Sequence, residues 1–258
     1  MGRCTDWKKH WNERSEQIAS DFSFNRGGGP WEKEIENLSK QELLAFIDPK
    51  PADVIFDAGC GTGGNMLMLH SQVRRIVGID YAKGAVERCR QRLDSNNVVN
   101  IEVREGSIDK APLSDCSVDK VLCLSVLHYM DDSEVASCLR EFKRVLKDRG
   151  LLVLHVKNLS SLYLLTLSIG KNIKLMLGKE TRLGYFRPFH WYITALTSLG
   201  FHIVDYNSSN LFILPGMPTW LVLLLQKLEL RNHTKAPLRA AFLRRHGSDL
   251  KIKARLLR

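Results

Sequence analysis

From Asp53 to Val156 short apolar runs alternate with stretches in which apolar positions recur at helical spacing. The runs predict strands at Asp53–Asp57, Arg75–Asp80, Asn100–Glu105, Val118–Leu124 and Leu151–Val156, and the stretches predict helices over Gly63–Gln72, Lys83–Leu93 and Asp132–Lys147. Strands separated by helices read as βαβ units, so the fold class is α/β with a doubly wound, mostly parallel sheet. Phe201–Ser208 predicts a further strand. Leu250, Ile252, Ala254 and Leu256 alternate with polar residues as a last one, expected as a half-buried edge strand whose lysines oppose edge pairing.

Upstream, two helices are predicted at Trp7–Ala19 and Trp31–Phe46, divided by Gly27-Gly28-Gly29-Pro30, with the proline placed at a helix start. The organisation expected is an N-terminal helical lid over residues 1–50 and one large domain over 51–258, with residues 158–200 and 211–246 as helical insertions. The apolar stretch Asn158–Leu177 is broken by Gly170, Lys171, Asn172 and Lys174, too often for a membrane span. In Leu211–Leu230, Pro215 and Pro218 shorten the helical part; packing on the sheet is the expectation, with contact to a bilayer surface as the alternative.

With 258 residues and 44% hydrophobic composition the chain can bury a sizeable core. Its six cysteines are scattered, without a C-x-x-C pair or a His/Cys cluster at ligand spacing, so a reducing compartment and no metal are expected. The polar N-terminal residues lack the apolar core of a signal peptide, which predicts a cytoplasmic protein, with peripheral membrane contact left open. The net charge is +10, but nine Lys/Arg against the single acid Asp249 fall between Arg231 and Arg258. Any electrostatic docking surface therefore has to come from that segment.

Strand Val54-Ile55-Phe56-Asp57 runs into Ala58-Gly59-Cys60-Gly61-Thr62-Gly63-Gly64, where glycines let a ligand approach the backbone. Gly59, Gly61 and Gly64 also satisfy G-x-G-x-x-G, which makes a nicotinamide dinucleotide a rival ligand. Asp57 separates the two. A carboxylate at the strand tip repels a pyrophosphate and attracts a ligand that carries an ammonium and a sulfonium. Asp80, at the end of Val77-Gly78-Ile79-Asp80, is placed to accept ribose hydroxyls from either ligand.

Together, D-A-G-C-G-T-G, V-G-I-D, L-S-V-L-H-Y-M-D-D and E-F-K-R-V-L-K-D-R-G-L-L-V-L resemble the class I S-adenosylmethionine-dependent methyltransferases, and within them the small-molecule subgroup that includes quinone-biosynthesis methyltransferases. The resemblance covers Asp53 to Val156. It implies a seven-stranded Rossmann-like sheet and S-adenosyl-L-methionine as cofactor. Asp57, Gly59 and Gly61 match the loop that holds the methionine end, Asp80 the ribose-binding acid, and Tyr81 the residue beside the adenine. After the third strand the family usually has Gly-Asp-Ala, where this chain reads Gly106-Ser107-Ile108; Ser107 and Ile108 then stand beside the adenine without the acid. Ser125 matches a position along the cofactor's methionine. Asp148-Arg149-Gly150 replaces a Pro-Gly-Gly turn.

Methyl transfer is an in-line displacement in which alignment matters most, and a neutral hydroxyl acceptor would call on a base. His128, after the fourth strand, and His190, in the aromatic cluster Tyr185–Tyr192, are the candidates for that base, His128 having a loop-shaping role as its rival. Asn158, leaving the fifth strand, and Arg187 are the candidates for acceptor contacts; His155 reads as a core histidine. The absence of an Asn/Asp-Pro-Pro-aromatic turn, a Pro-Cys nucleophile and a two-glutamate loop leaves a small-molecule or lipid-linked acceptor as the first expectation. An RNA methyltransferase using the basic tail comes second, then a non-catalytic subunit that activates a partner, then a hydride-transfer enzyme.

Overall fold

The computed structural model describes residues 7, 9–11, 13, 30–176, 184–210, 217–233 and 243–258. A seven-stranded sheet is built from β1 (Val54–Ala58), β2 (Arg75–Asp80), β3 (Ile101–Glu105), β4 (Val118–Leu124), β5 (Leu146–Lys157), β6 (Phe201–Ser209) and β7 (Asp249–Leu256), in the order β3-β2-β1-β4-β5-β7-β6. The first five strands are parallel, and β7 runs antiparallel to both β5 and β6. The helices are α1 (Pro30–Ile47), α2 (Gly64–Leu69), α3 (Lys83–Ser95), α4 (Asp132–Val145), α5 (Leu162–Met176), α6 (Phe189–Ser198), α7 (Thr219–His233) and the short α8 (Leu243–His246).

Two apolar layers cover the sheet. Phe56, Val121, Leu152, Leu154 and Ile252 face Leu139, Phe142 and Leu196 on one side. Ile55, Ile76, Leu122 and Val153 face Phe46, Met66, Leu69 and Cys89 on the other. Neighbouring strand residues thus serve opposite layers, as burial on both faces of a parallel sheet demands. The helix starts follow local chemistry as well: Asp131 caps α4, accepting from Ser133 N and Glu134 N at 2.9 Å while Glu134 reaches back to Asp131 N. At the amino ends of the central strands the buried Lys120 of β4 ties to Asp53 Oδ2 and to Asp48 O, each at 2.6 Å.

The last strand departs from expectation. β7 is an interior strand, and β6 forms the edge. Leu250, Ile252, Ala254 and Leu256 are fully buried because helices pack on one face of β7 while its polar residues meet α1 on the other. Lys251 pairs with Glu42 of α1 at 2.7 Å, and the Lys253 ammonium lies over the Phe46 ring. Arg244 pairs with Asp205, and the Arg258 guanidinium donates to carbonyls of Lys143, Arg144 and Leu146. Several described cations of the basic segment therefore have partners within the chain. The helix expected over Trp31–Phe46 is α1, fixed to β7 through Glu42 and to α7 through the Glu34–Lys227 ion pair at 2.6 Å. Most of the helix expected over Trp7–Ala19 and parts of the apolar stretches after Met176 and Asn210 lie outside the described residues. Among the described residues no helix is long and apolar enough to cross a membrane.

Strand order reverses between β1 and β4, which leaves a crevice at their carboxyl ends, the place where open α/β sheets take ligands.

Candidate cofactor and acceptor site

The glycine loop leaves β1 at that crevice. Gly59 N and Cys60 N donate to Ile79 O at 2.8 and 3.1 Å, and Gly61 N donates to Asp80 Oδ2 at 2.9 Å, so the loop is fastened across β2. Gly59 has φ +85°, and a Cβ there would lie 2.3 Å from Val126 Cγ2. Gly61 has φ +53°, and no atom lies within 4 Å of where its Cβ would be. One glycine is required by packing, while the other leaves an open cradle.

Asp57 sits under this cradle, 1% exposed, and neither carboxylate oxygen has a hydrogen-bond partner. Burial, with the nearby Asp80 adding to it, pushes its pKa up to about 7. A buried carboxylate without a partner needs an explanation in a folded chain, and a cationic ligand group supplies one. Asp80 accepts from Ala82 N and Gly61 N, one on each oxygen at 2.9 Å; burial raises its pKa although these amides oppose the rise. Each oxygen keeps acceptor capacity for a ligand hydroxyl.

Tyr81 is half-buried beside Asp80. In the turn after β3, Ile108 is a core residue and the exposed Ser107 donates to Asp109. Asp109 thus puts a carboxylate into the turn that lacked one at position 107. Sequence reasoning passed over it because the acid stands two residues late. Ser125 follows β4 with φ +65° and is exposed, its hydroxyl 2.9 Å from His155 Nδ1. His128 follows in a short 3-10 turn, buried, its Nδ1 without a partner; burial, then the Lys157 charge, lower its pKa to about 3. It stays neutral at physiological pH. The Trp7 and Trp11 rings stand 4.5 and 5.4 Å from that of Tyr129, so part of the N-terminal region closes over this turn.

A cleft of about 330 Å³ opens beside the turn, with Asp132, Ser168, Tyr185, Arg187 and Trp191 in its wall. Arg187 shapes that wall, its donors taken by Asp132 Oδ1 at 2.7 Å and by the carbonyls of Met130, Leu127 and Tyr185. Asn158 is fully buried and donates to Arg245 O and Gly247 O at 2.7 and 2.9 Å while accepting from Ser160 N. Its carboxamide locks the turn into β7, a structural task in place of the expected acceptor contact. His190 is exposed in the first turn of α6 and stands outside the cleft wall. Among the described residues no group of His, Cys, Asp and Glu is arranged to hold a metal.

The methyltransferase domain family matches residues 55–150. Over 136 residues the chain is 28% identical to malonyl-acyl-carrier-protein O-methyltransferase of Serratia marcescens, covering 53% of this chain and 51% of that one. The chain spans only about a third to a half of the length of the curated relatives it matches. Its fold resembles geranyl diphosphate C-methyltransferase of Streptomyces coelicolor, solved with S-adenosyl-L-homocysteine, at a TM-score of 0.64 and 18% identity, covering 99% and 100% of the two chains. It also resembles phosphoethanolamine N-methyltransferase 1 of Haemonchus contortus, at a TM-score of 0.65 and 15% identity, covering 98% of this chain and 48% of that one.

Proposed function

We propose that this chain, in which residues 55–150 form a class I S-adenosylmethionine-dependent methyltransferase domain, transfers a methyl group to a small-molecule or lipid-linked acceptor entering beside α5 and α6. The observation that carries the reading is the buried, unpartnered carboxylate of Asp57 below the open cradle at Gly61. S-adenosylmethionine has an ammonium to answer that carboxylate, whereas a dinucleotide would bring a pyrophosphate against it.

When bound, this cofactor supplies a methyl group activated on a sulfonium. In this assignment Asp57, Gly59 and Gly61 hold the methionine end, Asp80 accepts from the ribose, and Tyr81, Ser107 and Ile108 line the adenine with Asp109 supplying the acid. Ser125 lies along the methionine. The chain's task is to orient the acceptor in line and keep water away. The related enzymes named above are an O-, a C- and an N-methyltransferase, so the shared fold leaves the acceptor atom open. The acceptor class rests on the cleft. Ser168 of α5 is in its wall, and Leu162, Leu165 and Ile169 of the same helix are 58%, 46% and 53% exposed, an apolar surface suited to a hydrophobic acceptor or a bilayer surface. The pairing of Lys251, Arg244 and Arg258 with groups of the same chain leaves less of the basic segment for RNA.

Titration calorimetry tests the cofactor assignment: S-adenosylmethionine and S-adenosylhomocysteine should bind and NAD should not. Tight NAD binding with none for S-adenosylmethionine would overturn it. A metabolite screen with methyl-labelled cofactor identifies the acceptor.

A further inference from the structure

The hydroxyl of Ser125 has a partner, and that partner has one of its own. Ser125 Oγ is 2.9 Å from His155 Nδ1, and His155 Nε2 is 3.3 Å from Asp249 Oδ1. The three side chains come from the ends of β4, β5 and β7, strands that meet only because β7 enters beside β5. We propose that Ser125, His155 and Asp249 form a proton relay that draws the proton from a hydroxyl methyl acceptor, with Ser125 as its contact with the acceptor and His155 as the base. This rests on the methyltransferase reading and deepens it: it selects an O-methyl acceptor whose hydroxyl is neutral in water.

The direction of the relay follows from Asp249. This carboxylate is buried, which alone would push its pKa up, but the Lys157 charge and a hydrogen bond from His155 hold it well below the ordinary value, so it is ionised and accepts only. Lys157 pairs with the same Oδ1, while Asn210 Nδ2 at 2.6 Å and Ser248 Oγ at 3.1 Å hold Oδ2. Facing an acceptor-only group, His155 carries its proton on Nε2, which leaves Nδ1 as the acceptor for the Ser125 hydroxyl. His155 also faces His128 from the turn after β4 and is paired in register with Lys251 of β7.

The location suits the chemistry. Ser125 is exposed and precedes Val126, whose methyl group presses on Gly59 of the cofactor loop. Its positive φ is an uncommon conformation for a residue with a side chain, and it turns the chain out of β4 at the crevice. As the acceptor's proton passes to Ser125 Oγ, the serine's own proton passes to His155 Nδ1. The acceptor oxygen keeps the O–H electron pair and forms the O–CH3 bond, the S–CH3 pair stays on sulfur as a neutral thioether, and His155 releases one proton to water.

The same relay makes Ser125 a stronger nucleophile, so an alkyl fluorophosphonate serves as probe with the full chain. Peptide mass spectrometry should find the adduct on Ser125, formed at least tenfold more slowly in His155→Gln and in Asp249→Asn. No adduct at Ser125, or an unchanged rate in His155→Gln, overturns the relay. Nitrogen-15 NMR of histidine in the unmutated protein needs no variant: an Nε2–H tautomer at His155 is expected, and an Nδ1–H tautomer refutes the proposal. Neither readout requires cofactor, so failure of S-adenosylmethionine to bind in calorimetry would sink the methyltransferase reading and the methyl acceptor with it, whereas failure of these two readouts would sink the Ser125–His155–Asp249 relay alone.

Discussion

At Asp57 the fold buries a carboxylate to which no group of the described chain donates a hydrogen bond. Folded, it keeps its proton up to about pH 7; unfolded, it loses it near the ordinary value of 3.8. Between those values the folded state binds more protons, so this residue's contribution to stability falls as pH rises from about 4 to about 7 and is flat above. Relative to wild type, Asp57→Asn should gain stability across that window, by up to a few kcal/mol at roughly 1.4 kcal/mol per pH unit, and should lose S-adenosylmethionine affinity. Thermal melts of both proteins at pH 4.5 and 8 check the first effect and calorimetry the second; parallel melts would show that Asp57 is not perturbed. Gly59→Ala meets Val126 in a conformation that L residues avoid, and should cost about 1–3 kcal/mol in urea unfolding together with cofactor affinity. A variant as stable as wild type would mean that the loop relaxes freely. At this scale the sequence displayed the glycines of the loop after β1 and the acids Asp57 and Asp80. It did not display the state of Asp57, since burial is made by distant residues, nor the saturated bonds of Arg187 and Asn158.

Among the described residues, the strands and helices expected from Trp31 to Lys147 appear where the pattern put them, with β2 and β4 at the expected bounds, because alternation and helical period are properties of contiguous residues. β5 begins five residues earlier than Leu151, at Leu146, since Leu146 pairs with Val118 across an irregularity in the β4–β5 ladder. No local signal announces such an irregularity. The link between β1 and β4 is also non-local: Lys120, of a strand that reads as apolar, has its ammonium on Asp53 and Asp48 O. Lys120→Ala leaves the buried Asp53 carboxylate with fewer partners and should cost about 3–5 kcal/mol in denaturant unfolding. A loss under 1 kcal/mol would show that water replaces the ammonium.

For the whole molecule, the decisive feature is the entry of β7 between β5 and β6. Deleting Ser248–Arg258 removes an interior strand, exposes two ladders and uncovers Leu154 and Phe201, so the truncated chain should be insoluble or lack a cooperative melt. A soluble, cofactor-binding truncation would overturn the structural role of the strand. The alternation Leu250, Ile252, Ala254, Leu256 identified a strand from sequence alone, but an edge position was expected where the fold has an interior one. By itself the sequence determined the α/β class, the series of strands, the helices between the first five of them, and the glycine loop with Asp57 and Asp80 at the strand ends, because each is written in neighbouring residues whose spacing repeats the geometry of strand, helix or turn. Only the tertiary structure decided the neighbours of β7, the orphaning of Asp57 and the meeting of Ser125, His155 and Asp249. These depend on how faces of separate elements cover one another, and residues far apart along the chain carry no local trace of that choice.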